Sequence, residues 1–519
     1  MIIDARSLPD SETIDTDICI AGAGVAGIAL AHEFMAQDVR VCLLESGGLE
    51  PDRTTQSLYW GEDVGVPYYP MDTSRARFFG GSSHCWHVPL GNNVLGVRLK
   101  PLDPIDFEER DWVPYSGWPF GKQHLAPFYE RAERFCRIGP FTDSTPDDPA
   151  QPELPFLNGR VRTTIFQFAV RELFVHEYLE KVKMSDTVSA YLNANITGVE
   201  TDETARRVTG LSGACLNGKK FSVRAKLYIL ALGAIEIPRL LLLSNKVRKA
   251  GLGNQHDLVG RFFMEHPHLW SGIYIPSSDR IFGSTGLYRV HEHNGVSIMG
   301  KLTLSEEVLR KERLLNYCTS LHARMCPDPI DGCSGGKGGA LAKAEHPGGL
   351  MDDLGVITRS VVSRIKGKKK IRAFQLNHMS EQMPNPDSRV TLGDELDALG
   401  QRRAQLDWRL TALDMRTIIR AQEIIDEELR KAGLGRLHIE MKDETPPHNL
   451  TGGWHHMGTT RMHPDPRKGV VDEQSRVHGI SNLFIAGPSV FPTCGYANPV
   501  LTAIAMTLRL ADHVKKCLA

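Results

Sequence analysis

The sequence predicts an α/β protein in which a domain on a parallel sheet is interleaved with an α+β domain built on an antiparallel sheet. Three observations predict it. A strand, a glycine turn and a helix occupy residues 17–48; the same order returns at 225–244 and at 481–506; and residues 269–450 are made instead of short strand-like segments with long loops. At 519 residues the chain exceeds one ordinary core, so the repeats read as one domain assembled from separated segments.

The first segment, DICIAGAGVAGIALAHEFMAQDVRVCLLESGG, runs from Asp17 to Gly48. Its buried strand ends at Ala21, and Gly22, Gly24 and Gly27 spell G-x-G-x-x-G where a helix must begin. Gly22 allows the turn, Gly24 lets the backbone approach a pyrophosphate, and Gly27 lets helix and strand pack closely. A second apolar strand, Val41–Leu44, delivers Glu45 about 20 residues on, where a carboxylate meets a ribose hydroxyl. The pattern is Rossmann-like and dinucleotide-binding, and does not separate NAD from FAD.

Residues 75–92, RARFFGGSSHCWHVPLGN, follow an irregular stretch; a Gly80–Ser83 turn with His84, Cys85, Trp86 and His87 beside it suits a flat cofactor or a buried polar turn. Prolines 101, 104, 114 and 119 make residues 100–119 a covering loop. A packing helix follows from about His124, with Leu125, Phe128, Tyr129, Ala132 and Phe135 on one face. Residues 139–158 are a connector, and Tyr191–Gly210 reads as a hairpin. In VGRFFMEHPH, Glu265, His266 and His268 resemble a metal set, but no helix fixes their spacing and no metal is expected. Ser271–Ile275 and Gln405–Leu410 read as strands of the antiparallel domain, and Ala412–Ala432 as a core helix ending at Gly433. The glycine-rich stretch 332–349 suits a lid or a surface insertion, and the basic run 366–372 a solvated turn.

A formal net charge of -1 argues against nucleic acid or an anionic membrane as partner and favours small-molecule chemistry. No long apolar run occurs, and the polar N-terminus leads to a cytoplasmic expectation. The ten cysteines include no C-x-x-C pair, and Cys318, Cys326 and Cys333 match no cluster spacing, so free thiols are expected.

The last segment places GGWHHMGTTRM at 452–462 and an Ala486-Gly487-Pro488 turn before a helix near Pro499. Together, GAGVAG with Glu45, GGSSHCW at 80–86, ALGAIEIPRLLLLS at 231–244, VGRFFMEHP at 259–267, PNPDSRVTL at 384–392, HHMGTTRM at 455–462 and residues 482–506 resemble the glucose-methanol-choline (GMC) oxidoreductases. The resemblance implies a Rossmann-like FAD-binding domain in three parts, 1–138, 191–268 and 451–519, with 139–190 as connector and part of the substrate domain and 269–450 as substrate domain. It implies His455 as catalytic histidine and Asn498 as its partner. Flavin contacts are then expected from Gly22, Gly24, Gly27, Glu45, Ser46, Arg77, Gly81, Ser82, Ser83, His84, Cys85 and Trp86. Later ones come from Ile196, Ala231, Gly487, Asn498 and Pro499. Gln382 and His456 are expected on the substrate side, with Asp387 as a further wall residue.

The Asn form at 498 resembles the pyranose oxidase and glycoside 3-oxidase branch, which implies oxidation of a sugar or glycoside hydroxyl; the other readings are a non-sugar alcohol and a flavin protein without turnover. Cys85 stands where pyranose oxidases carry the histidine that can attach FAD, so a dissociable FAD is expected. The electron acceptor is oxygen, a quinone or a redox carrier. The chemistry fits these side chains: an imidazole of pKa about 6.5 accepts a hydroxyl proton near neutrality, and an amide N–H steadies the developing alkoxide.

Overall fold

The computed structural model describes residues 1–142, 145–278, 280–325, 371–441 and 443–518. At its centre is a six-stranded sheet in the order Ile2–Asp4, Val188–Leu192, Val41–Leu44, Ile18–Ala21, Leu227–Leu230 and Leu483–Ile485. Every neighbouring pair is parallel. Ile18–Ala21 is buried along its whole length, as a parallel strand covered on both faces must be, which is why it reads as an unbroken apolar run. Helices Val25–Phe34, Lys122–Cys136 and Val500–Leu518 pack together over this sheet. The segments at 17–48, 225–244 and 481–506 therefore meet in one sheet.

The second large sheet is antiparallel and runs Gly435–His438, His268–Pro276, Ile371–Ser380, Tyr317–Met325, Val296–Leu304, Val161–Val170, Val94–Leu99, Val88–Gly91. Helix Ala412–Lys431 backs it: Ile418, Gln422, Ile425 and Leu429 recur at helical spacing and are buried, with Ile425 and Leu429 in one apolar cluster with Tyr274, Phe374 and Leu376. Thr411 and Asp414 close a capping box at its start. Strand His268–Pro276 carries a bulge between Trp270 and Ile273, with Gly272 at φ +77°, and such an irregularity re-aims side chains beside it.

Several details depart from the sequence reading. Val88–Gly91 and Val94–Leu99 fall inside 1–138 yet join the antiparallel sheet; the chain crosses there straight after a short 3-10 turn, Gly81–Cys85. Tyr191 belongs to a parallel-sheet strand, and the hairpin proper is Asn195–Thr201 with Val208–Ala214. The strand expected at Gln405–Leu410 is Arg402–Asp407, and it leaves the large sheet to pair with Arg389–Leu396 and Gly61–Asp63, because Leu406 and the adjacent Trp408 are buried against Met71 and Phe263. Residues 332–349 and 366–370, with Cys326 and Cys333, lie outside the described residues. Among the described residues, no helix is long and apolar enough to cross a membrane.

Candidate active site

A cavity of about 480 Å³ opens between the two large sheets, and both the Gly22–Gly24 turn and the His455–Asn498 pair line it. The three motif glycines are required for different reasons. Gly22 sits at φ +106°, and a Cβ there would lie 2.5 Å from the Ala231 carbonyl oxygen. At Gly27 a Cβ would lie 1.8 Å from the Gly22 carbonyl oxygen, so helix and strand could not close. Gly24 differs, since a Cβ would meet nothing within 4 Å; it faces open cavity above a helix N-terminus, where unpaired N–H groups favour an anion.

Beyond the turn, Glu45 accepts hydrogen bonds from the Ala23 N–H at 3.1 Å and the Gly47 N–H at 2.9 Å, and burial pushes its carboxyl up despite them. Arg77 extends along the wall, donating to Asn195 Oδ1 at 3.3 Å and to Glu236, while its Nε has no partner among the described residues. Burial opposes ionisation of Glu236, but Arg239, Arg75 and Arg77 outweigh it and bring the carboxyl down to about 2. This part of the lining is thus charged.

Fifteen of the expected flavin contacts line the cavity: Gly22, Gly24, Glu45, Ser46, Arg77, Gly81, Ser82, Ser83, Cys85, Trp86, Ile196, Ala231, Gly487, Asn498 and Pro499. Two do not. Gly27 packs the helix onto the turn, and His84 turns back to the Phe79 carbonyl, 2.8 Å from its Nε2, against the Phe78 ring. Gln382 is also corrected: fully buried, it accepts from the Glu265 N–H and Trp408 Nε1, both at 2.9 Å, and donates to the Phe263 and Arg409 carbonyls. Its capacity is spent holding loops, away from the cavity. Asp387 is exposed and pairs with Arg261.

Elsewhere on the lining, His455 Nε2 stands 2.9 Å from Asn498 Nδ2, and its Nδ1 stands 2.8 Å from His266 Nδ1. The His455 and His266 N–H groups both donate to Glu265 Oε1, at 2.7 and 2.9 Å. Tyr68 donates its hydroxyl to Glu265 Oε2 at 2.5 Å, and His456 Nε2 approaches the Tyr68 oxygen at 2.8 Å. Trp454, just before the pair, is held at φ +60°, a conformation that costs a bulky residue about 1–3 kcal/mol and that fixed surroundings must maintain.

Electrostatics depart from the simple expectation for an imidazole. His455 lines the cavity, and burial, reinforced by His266, His268, His456 and Lys301, holds its pKa well below 6.5. His266 is brought down to about 4 by burial, and His456 to about 3. Glu265 is pushed up to about 7 by burial, against the N–H and O–H donors around it. The site keeps neutral imidazoles.

Glu265, His266 and His268 resemble a metal set in sequence, whereas in the structure Glu265 and His266 bond His455 and His268 lies edge-on beside it on the cavity lining. Their place in VGRFFMEHP was the available signal. Tyr68, in the irregular stretch, had none. The opposite wall comes from the antiparallel sheet as Arg98, Trp270, His322 and Asn377.

Residues 384–507 match the GMC oxidoreductase family. A 5-(hydroxymethyl)furfural oxidase of Methylovorus sp. (strain MP688) is 36% identical, over 96% of this chain and 98% of that one. This chain belongs to the GMC oxidoreductases. The fructose dehydrogenase large subunit of Gluconobacter japonicus is 24% identical over 97% of this chain and 98% of its own. The crystal structure of pyridoxine 4-oxidase from Mesorbium loti shares the fold, with a TM-score of 0.54 and 17% identity over 96% of this chain and 99% of that one.

GMC oxidoreductases are FAD flavoproteins acting on CH–OH donors. The residues present fit FAD: the open space at Gly24 and the helix behind it would suit the pyrophosphate, Glu45 would suit a ribose hydroxyl, and His455 and Asn498 line the same cavity.

Proposed function

We propose that this GMC oxidoreductase oxidises a secondary hydroxyl of a sugar or glycoside to a ketone, with His455 as general base. The observation that supports it most is the character of the wall around the His455–Asn498 pair. Asn498 Oδ1, Asn377 Oδ1, His268 Nε2 and Trp454 Nε1 are buried polar atoms without a hydrogen-bond partner among the described residues, all on residues lining the cavity. Orphaned buried groups are costly, about 1–3 kcal/mol each, and a polyhydroxylated ring offers donors and acceptors to satisfy them. The relative named for fructose is consistent with that chemistry.

In the resting arrangement, Asn498 Nδ2 and His455 Nε2 bond each other. A carbinol entering this corner presents its O–H to Nε2 and takes the Asn498 N–H onto its oxygen, exchanging one mutual bond for two. His455 removes the hydroxyl proton, and Asn498 steadies the alkoxide as charge develops. FAD, when bound, supplies the hydride acceptor. Reoxidation is by oxygen or a quinone-type acceptor, and the FAD is dissociable: acid precipitation is expected to release the flavin from the polypeptide.

Anaerobic stopped-flow reduction with a panel of monosaccharides, glycosides and simple alcohols tests this reading. The expected outcome is bleaching by sugars and loss of about a hundredfold or more in rate in His455→Ala. A rate in that variant equal to the parent's would remove His455 from the mechanism. The 36% identity to an oxidase named for a hydroxymethylfurfural favours a second reading, a non-sugar alcohol, which the panel separates by which carbinol reduces the flavin.

A further inference from the structure

We infer that His266 is a positioning residue that fixes the tautomer of His455, so that the ring nitrogen facing the cavity carries a lone pair rather than a proton. The inference rests on the proposed role of His455 as base and adds the element that keeps it in its accepting form. Two distances carry it. His266 Nε2 lies 3.4 Å from the backbone carbonyl of Cys494, and His266 Nδ1 lies 2.8 Å from His455 Nδ1.

A carbonyl only accepts, so His266 Nε2 bears the hydrogen. A neutral imidazole has one N–H, which leaves His266 Nδ1 as an acceptor. The short contact between the two Nδ1 atoms then needs a donor, and only His455 can supply it. With its proton on Nδ1, His455 presents Nε2 as a lone pair to Asn498 Nδ2, an N–H donor, at 2.9 Å. The opposite assignment fails at the Cys494 end, where His266 Nε2 would face the carbonyl lone pair to lone pair, and with the Asn498 amide placed as it is, His455 Nε2–H would point at an N–H. Setting one ring nitrogen by the bond of the other is a general property of histidine.

The surroundings hold the relay in place. His266 is fully buried, and its backbone N–H shares Glu265 Oε1 with the backbone N–H of His455, so the two rings keep their relative position. The other titratable groups acting on His455 are His268, His456 and Lys301, none of which is hydrogen-bonded to its ring nitrogens. When the substrate O–H bond breaks and the N–H bond forms at Nε2, the imidazolium already donates its Nδ1–H to the His266 lone pair. Positive charge thus develops against a fixed acceptor.

The test is ¹⁵N NMR of ring-labelled histidine in the flavin-loaded protein, the His455 signals being assigned by their loss in His455→Ala. The expected spectrum has an unprotonated Nε2 and a proton-bearing Nδ1. In His266→Leu the tautomers are expected to mix and flavin reduction to slow roughly ten- to a hundredfold, with substrate affinity little changed. His266→Asn places an amide oxygen near the lost Nδ1 and is expected to restore both the tautomer and most of the rate. A parent spectrum with the proton on Nε2, or an unaltered His455 spectrum in His266→Leu, overturns the inference. Should His266→Leu fail to fold, the parent spectrum and His266→Asn decide. If no carbinol bleaches the flavin, the proposed activity fails while the NMR still reads the tautomer.

Discussion

Burial governs the chemistry at the scale of single residues. A solvated histidine would stop accepting protons as pH falls through about 6.5. His455, held well below that value by burial and by its charged and imidazole neighbours, keeps its lone pair into acid, so the reduction rate is expected to show no limb at 6.5 between pH 8 and 5.5. Pre-steady-state pH profiles check this. Glu265 behaves in the opposite sense. Its carboxyl ionises at about 7 in the folded protein against an ordinary value of 4.5, so its contribution to stability is fully present below about 4.5 and is lost as pH rises through about 7. The difference is on the order of 3 kcal/mol. Melting temperatures at pH 5 and 8 are expected to differ less in Glu265→Gln than in the parent. The motifs singled out His455, Asn498, Gly22 and Gly24, which the fold brings to one cavity, because each lies in a strong local pattern. Tyr68 was illegible because its partner His456 is 388 residues away, and nothing local marks such a contact.

At the scale of elements, the glycine turn joins two requirements that substitution can separate. Gly27→Ala would put a methyl group into the Gly22 carbonyl and part helix from strand, costing on the order of 1–3 kcal/mol or more. Gly24→Ala meets nothing in the protein, so the variant is expected to match the flavin-free parent in melting temperature while binding FAD far more weakly. Thermal melts and flavin titration distinguish the two. The glycine motif revealed this turn, and periodicity and apolar runs revealed the helix Ala412–Lys431 and the parallel strands Ile18–Ala21, Val41–Leu44, Leu227–Leu230 and Leu483–Ile485, but not Ile2–Asp4 or Val188–Leu192. Neither revealed that Val94–Leu99 pairs with Val161–Val170, or that Arg402–Asp407 leaves the large sheet. A strand's own residues record which face is buried, not which partner lies alongside.

For the whole molecule, the cavity is a seam between two sheets, and a ligand in it touches both. Removing FAD is expected to lower the melting temperature, and adding it back at a hundred times its dissociation constant to restore about 2.7 kcal/mol. Scanning calorimetry of flavin-free and reloaded protein measures this. The order of assembly has its own consequence. Leu227–Leu230, almost entirely buried, pairs on one side with Ile18–Ala21 and on the other with Leu483–Ile485. During synthesis the first partner is already made, whereas the second emerges roughly 250 residues later, which at about 5–20 residues per second leaves one edge bare for about 10–50 s. An apolar parallel edge exposed for that long recruits other strands, including those of neighbouring nascent chains. Yield of this protein should therefore depend on translation speed and on chaperones that cover strand edges, even where the finished fold is stable.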